Sequence, residues 1–247
     1  MWDDARQLNA MAVTLALIAA AFLGWAIVGW VTRLPAFAFR EVVVTTPLSR
    51  TSGAHLEAVI RSELAGTFFT MNLDRARAAL GRVPWVRGVA LRRQWPRTLE
   101  IEVDEHAPFA RWNDNALVDA NGEVFVASYA GELPQFRGPD GQAGLMTVRY
   151  REWAALLAPL ALQMTGLDLS ARGGWQIHAA DDAGALTLDV GRDDVAGRLE
   201  RFVAIYGRTM GVLAHAGTHV DHVDLRYRNG FAARMPNFRE KPGRKVS

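Results

Sequence analysis

Residues 91–125 read LRRQWPRTLEIEVDEHAPFARWNDNALVDANGEVF. Inside this stretch Leu99, Ile101 and Val103 alternate with Glu100, Glu102 and Asp104. A period of two puts the apolar set on one face of a sheet and the acidic set on the other, so residues 98–103 predict a half-buried strand. The QWPR run at 94–97 predicts a turn, and residues 85–92, with Val86 and Val89, predict the strand before it. Pro108 opens a second unit. There the apolar runs 116–118 and 124–126 flank Asp119-Ala120-Asn121-Gly122. Asn-Gly between apolar runs is a strong hairpin signal, because both residues accept the positive φ that a tight primed turn needs. The stretch therefore joins the end of one sheet to the beginning of another.

Upstream, residues 39–44 (FREVVV) predict a strand. Ser52 stands where it would cap a helix with an apolar stripe of Leu56, Val59, Ile60 and Leu64, closed by Gly66. Asn72 does the same for a shorter helix carrying Leu73, Ala76 and Leu80, ended by Gly81. The predicted order is β-α-α-β-β in about 70 residues, enough for a small domain. Downstream, residues 138–144 predict a loop. Residues 148–164 predict a helix with Trp153, Leu156, Leu157 and Leu160 on its apolar side and a kink at Pro159. Short strands follow at 175–178 and 186–190, then a helix marked by Val195, Leu199, Phe202 and Tyr206. Two last strands, 220–227 and 231–235, surround Asn229-Gly230, a second hairpin signal. The basic tail from Pro236 predicts disorder. The fold class is α+β.

No charged side chain lies between Arg6 and Arg33, and residues 11–31 are nearly all Ala, Leu, Ile, Val, Phe and Trp. About 20 such residues cross the ~30 Å hydrocarbon layer. Trp25 and Trp30 near one end suit the membrane interface. The rival is a cleaved signal peptide, since Ala36-Phe37-Ala38 has the A-x-A form. Signal h-regions run about 7–15 residues, and this one is longer, which favours a retained anchor. Charge gives no clear orientation: Arg6 precedes the helix while Arg33 and Arg40 follow it.

The 247 residues carry a formal net charge of +2 and no cysteine. Disulfides, thiol nucleophiles and Cys-ligated metals are thereby excluded, and the charge balance alone implies no nucleic-acid partner. His215, His219 and His222 with Asp221 and Asp224 resemble a metal site, but Gly217 and Thr218 interrupt the helical spacing and no HExxH occurs. Asp193 or Asp194 reads as a helix N-cap rather than as half of a catalytic pair. Nucleophile-elbow, Walker and GxGxxG patterns do not occur. Arg87, Arg92, Arg93 and Arg97 around Trp95 read as a solvated strand face. No catalytic residue, cofactor or metal site is expected.

The run 91–125, the run GRDDVAGRLERFVAIY at 191–206 and the run VDLRYRNGFAAR at 223–234 together resemble the FtsQ/DivIB family of bacterial cell-division proteins. The RxQWP turn, the ARWN…LVDxxGxxF segment and the VDLRY strand carry the resemblance over nearly the whole chain. It implies a short cytoplasmic tail (1–10), a transmembrane helix (11–34), a periplasmic POTRA domain (37–106), a C-terminal β domain (107–235) and a disordered tail (236–247). It also implies a non-enzymatic scaffold of the divisome in the bacterial inner membrane at the septum, linking early and late division proteins and holding the FtsB–FtsL pair, with no nucleic-acid partner. A final strand with unpaired backbone groups offers a physical route, since a partner strand can add to it. The residues expected there are Arg172, Arg226, Tyr227, Asn229, Gly230, Phe231, Ala232, Ala233 and Arg234. Tyr227 and Phe231 would give apolar contact, Arg172 and Arg226 would meet carboxylates, and proline at Ala232 would weaken binding if the N–H of that residue faces the partner. The rival readings are a POTRA module of an outer-membrane assembly system and a membrane-tethered periplasmic enzyme.

Overall fold

The structure is a computed structural model that describes residues 5–63, 66–182, 184–206, 220–227 and 230–236. Its contacts divide into two units, residues 1–105 and 106–247.

The first unit begins with α1, Ala5–Val31, none of which is buried in the fold. This helix starts earlier and ends sooner than the expected 11–34. Thr32 and Arg33 form a turn, and a short 3-10 turn follows at Pro35–Phe37. At about 1.5 Å per residue its 27 residues span roughly 40 Å.

The rest of the unit runs β1 (Glu41–Val44), α2 (Gly53–Glu63), α3 (Leu73–Leu80), β2 (Val86–Gln94) and β3 (Thr98–Glu105). This is the expected β-α-α-β-β order. The sheet order is β1-β3-β2, with β1 parallel and β2 antiparallel to the central β3. The central place of β3 explains its clean alternation: Leu99, Ile101 and Val103 are 0–2% exposed and meet Leu56 and Ile60 of α2 and Ala76 and Leu80 of α3. Asn72 caps α3, its Oδ1 accepting from the N–H groups of Asp74 and Arg75 at 3.0 Å. Ser52 Oγ accepts from His55 N–H at 3.4 Å at the start of α2. Leu64 lies outside the described residues. Glu105, closing β3, ties down the loop before α2: its carboxylate accepts from the N–H groups of Ser49, Arg50 and Thr51 at 2.7–3.2 Å and from the Ser49 hydroxyl at 2.5 Å. Burial opposes the charge on Glu105, but these donors outweigh it and hold the carboxyl at about 2.

The second unit holds β4 (Pro108–Trp112), β5 (Ala116–Asp119), β6 (Val124–Phe125), β7 (Gln135–Arg137), α4 (Ala143–Leu157), β8 (Gln163–Leu169), β9 (Trp175–Asp181), β10 (Gly184–Gly191), α5 (Val195–Tyr206), β11 (His222–Asp224) and β12 (Ala232–Arg234). They form one nine-stranded sheet in the order β12-β11-β10-β9-β8-β7-β4-β5-β6. Trp153 and Leu157 of α4 and Leu199, Phe202 and Tyr206 of α5 share a core with Phe136, Leu167, Ile177 and Leu188 of the sheet.

The β5–β6 hairpin forms where expected, but of the Asn-Gly pair only Gly122 takes a positive φ, +84°, so the turn is not a primed one; an added Cβ on Gly122 would lie only 2.4 Å from Gly144 Cα. Its Asp119 is buried. Oδ1 accepts from the N–H groups of Asn121 and Glu123, and Oδ2 lies 2.9 Å from His106 Nδ1.

Two sets of expected boundaries need correction here, those of the helix at 148–164 and those of the last two strands. The helix assigned to 148–164 runs instead from Ala143 to Leu157. Pro159 sits in a 3-10 turn, and Ala161 at φ +56° ends the helical path. Met164 consequently belongs to a strand, β8, absent from the sequence reading, as are β4 and β7. The last two strands are also shorter than expected, at three residues each. Asp194 holds the N-cap position, where its carbonyl accepts from Arg198 N–H, but its φ is +48° and its carboxylate faces Arg201 at 3.4 Å.

Candidate partner-binding edge

β11 and β12 pair antiparallel, and β12 is the outermost strand of the sheet among the described residues. β11 runs parallel to β10, with Leu188 opposite Val223; β12 runs antiparallel to β11, with Val223 opposite Ala233. Among the described residues, no strand pairs with the outer side of β12.

Register decides which backbone groups are open. Thr187 N–H donates to the Asp221 carbonyl and Leu225 N–H to the Asp189 carbonyl. In a parallel pair, alternate residues of one strand turn both polar groups to the same neighbour. The Asp221 carbonyl, both groups of Val223 and the Leu225 N–H therefore face β10, leaving His222 and Asp224 to face β12, where the Asp221 N–H also donates to the Arg234 carbonyl at 3.2 Å. Their partners Arg234 and Ala232 point their N–H and C=O inward, and Ala233 points its own outward. The condition on Ala232 is therefore not met: its N–H belongs to the internal ladder, and Ala233 carries the outward donor.

The side chains alternate in step. Phe231, Ala233 and Met235 are half-buried against the helix-side core, and Ala232 and Arg234 are exposed on the other face. Phe231 meets Phe202 of α5 edge-on, ring centroids 5.9 Å apart. It anchors the strand as well as bordering the edge. Tyr227, by contrast, is 58% exposed and available to a partner.

Both arginines near the edge are already paired. Arg226 grips Asp224, with Nε to Oδ1 at 2.9 Å and Nη2 to Oδ2 at 2.6 Å; Arg234 grips Asp221, with Nη2 to Oδ2 at 2.7 Å. The Arg226 hydrogen bonds hold the Asp224 carboxyl below the usual carboxylate range, against the opposing effect of burial. The Arg226 stem also packs against Gly191, where an added Cβ would come within 3.2 Å of its Cγ. A partner carboxylate at Arg226 would thus share a guanidinium whose direction is preset.

Arg226 lines a groove of about 660 Å³ together with Arg137, Asp168, Trp175, Gln176 and Asp189. Arg172 is exposed in the β8–β9 turn, whose Ser170, Ala171 and Gly174 line the same groove. The groove thus brings the Arg172 turn to the site of Arg226, 54 positions later in the chain. Gly230 is exposed, and among the described residues nothing lies within 4 Å of an added Cβ there. Asn229 lies outside the described residues.

Arg137, Gln176 and Asp189 were absent from the sequence reading. Gln176 donates to Asp189 Oδ1 at 2.6 Å, His178 lies 3.0 Å from Asp168, and His222 lies 3.2 Å from Asp189. Together they make a polar face on β8–β11. Its signal is present in the alternation of Gln176 and His178 with buried Ile177 and Ala179, and of Thr187 and Asp189 with buried Leu186, Leu188 and Val190. Of the histidine–aspartate group first read as a candidate metal cluster, His222, Asp221 and Asp224 each pair with a protein group, while His215 and His219 lie outside the described residues.

Comparison with known proteins agrees with this architecture. Residues 37–106 match the model of the FtsQ-type POTRA domain, and residues 110–226 match that of the cell division protein FtsQ/DivIB C-terminal region. The chain is 36% identical to the cell division protein FtsQ of Bordetella pertussis, over 94% of this chain and 92% of the relative. It is 34% identical to that of Burkholderia pseudomallei over 97% and 96%, and 31% identical to that of Escherichia coli over 85% and 77%. With a β-α-α-β-β domain, a nine-stranded C-terminal sheet and relatives that match along nearly its full length, the chain belongs to the FtsQ/DivIB family of cell-division proteins.

Proposed function

We propose that this chain is a single-pass scaffold of the division machinery that holds the FtsB–FtsL pair by strand addition to β12. In this reading α1 crosses the inner membrane with its N-terminus in the cytoplasm, and both folded units stand in the periplasm at the septum. Residues 37–106 serve as the POTRA domain and residues 107–235 as the partner-binding domain.

The observation that supports it most is the outer side of β12, with which no strand among the described residues pairs. Strand addition supplies affinity through backbone hydrogen bonds, and adjoining side chains supply specificity. Ala232 and Ala233 leave room for a second backbone. Exposed Tyr227 stands beside the strand as an aromatic anchor, the residue type that most often dominates interface energies. Arg226 lines a groove whose wall also includes the turn that carries exposed Arg172. A scaffold role of this kind needs no bond-making chemistry.

The test is co-purification. Full-length chain in detergent, mixed with the FtsB–FtsL pair, should form a complex of micromolar affinity or better, about −8 kcal/mol. Weaker binding, or binding indifferent to changes at β12 and Tyr227, would refute the assignment of this edge. A wall-hydrolysis assay on the same preparation separates the scaffold from a tethered enzyme.

A further inference from the structure

We infer that Phe37, Phe68 and Phe69, flanked by Arg33 and Arg40, form a membrane-contact surface seated at the headgroup–acyl boundary of the bilayer that α1 crosses. The inference rests on the reading of α1 as a membrane span.

The loop between α2 and α3 is fastened to the chain just after α1. Thr67 Oγ1 donates to the Thr32 carbonyl at 2.5 Å, one residue past the end of the helix. Phe68 N–H donates to the Phe37 carbonyl at 2.8 Å, and Ala38 and Thr67 form an antiparallel bridge. Thr67 itself is 8% exposed and also bonds Thr70, so the fastening is shielded from water.

This junction gathers aromatic rings. Phe37 and Phe69 meet at 5.2 Å, and Phe68 and Phe69 at 5.3 Å. None of the three belongs to the core beneath the three-stranded sheet, which takes Phe39 instead. Phe69 is 49% exposed. Arg33 and Arg40 are exposed on either side of Phe37 in the chain.

Position supplies the occupant. Trp25 and Trp30 are exposed on the last two turns of α1, where indole rings mark the membrane interface. The interfacial layer is about 5–7 Å thick on each side of the hydrocarbon. A loop hydrogen-bonded to Thr32 lies at that depth. Aromatic rings with cationic neighbours are the composition that interfacial segments use, the rings entering the acyl boundary and the guanidinium groups meeting phosphates. The contact would fix the first folded unit against the bilayer instead of leaving it on a free tether.

The absence of cysteine makes a direct test simple. Phe69→Cys, Trp30→Cys and Glu102→Cys variants of the full chain, each carrying a nitroxide label, are placed in nanodiscs of phosphatidylethanolamine and phosphatidylglycerol. Collision with dissolved oxygen reports lipid, and collision with a water-soluble nickel chelate reports water. Glu102 is exposed on the central strand and serves as the aqueous reference. The Phe69 label should show nickel accessibility about fivefold below that of Glu102, with oxygen accessibility raised towards that of Trp30. A Phe69 label as nickel-accessible as Glu102, with Trp30 in lipid, overturns the surface and leaves the span intact. Low accessibility to both reagents at Phe69 overturns it in favour of burial in protein. A water-exposed Trp30 label overturns the span, and the surface with it.

Discussion

Replacing Ala233 with proline isolates the backbone part of the proposed interface. The N–H of Ala233 points away from β11, so proline removes a donor that no described backbone carbonyl accepts from. Proline is tolerated in edge strands when its nitrogen faces solvent, and the residue is only half-buried. Loss of one ladder hydrogen bond costs about 1 kcal/mol net, and a partner carbonyl left dry and unpaired adds at least about 1 more. The sum, about 2 kcal/mol, is roughly a 30-fold rise in Kd. Ala232→Pro is the matched comparison. It removes a donor facing the Asp224 carbonyl inside the ladder, so it lowers stability, by about 3 kcal/mol if the effect resembles proline in other hydrogen-bonded positions. The assay is a titration of full-length protein with the FtsB–FtsL pair, alongside thermal melts followed by circular dichroism. The expected pattern is a weak-binding Ala233→Pro with a parental melt and an Ala232→Pro with a lowered melt. A folded Ala233→Pro that binds like the parent would refute strand addition at β12.

Tyr227→Ala should weaken the same binding by about 2 kcal/mol; because the side chain is 58% exposed, the melt should stay within about 0.5 kcal/mol of the parent, and unchanged binding would remove Tyr227 from the site. Phe202→Ala empties a fully buried position behind Phe231 and should cost the second unit about 3–5 kcal/mol, read as a lower denaturant midpoint; a parental midpoint would contradict the packing described. Glu105→Gln tests the carboxylate that holds the loop before α2. The folded-state pKa is lowered to about 2, so its stabilisation is full above the ordinary carboxylate range and fades as pH falls from about 4.5 towards 2. At pH 7 the variant should be less stable by about 1–2 kcal/mol, allowing for solvent screening of this rim site, and the gap should narrow by pH 2.5. An equal gap at both pH values would show that the charge is not what stabilises the loop.

Much of the fold was legible along the chain because the relevant forces are local. The alternation of residues 98–103, the capping Asn72 and the Asn121-Gly122 turn each depend on neighbours within a few positions, and each appears where expected. The apolar stripe on Val195, Leu199, Phe202 and Tyr206 likewise marks a helix whose buried face is set by its own period. The strands that escaped notice, β4, β7 and β8, differ in length and in what hid them. β7 has three residues, too few to display a period, and exists because β4 and β8 flank it in parallel. β8 was hidden within the apolar pattern of the preceding helix, since Leu160, Leu162 and Met164 satisfy either reading until Ala161 takes its left-handed turn.

The candidate site divides along the same line. Sequence alone determined that the chain carries an apolar membrane-length segment, a β-α-α-β-β domain and a last strand followed by a polar tail. The motifs of residues 91–125, 191–206 and 223–234 also pointed to its family. Tertiary structure alone decided that the Arg172 turn and Arg226 border one groove, that Phe231 packs inward and that Ala233 holds the outward N–H. Alternation along a strand tells which side chains share a face, but both lateral directions of the backbone are compatible with it. Only the position of β11, held on its other side by the parallel β10 more than thirty residues earlier in the chain, selects which backbone groups of β12 face away from the described sheet.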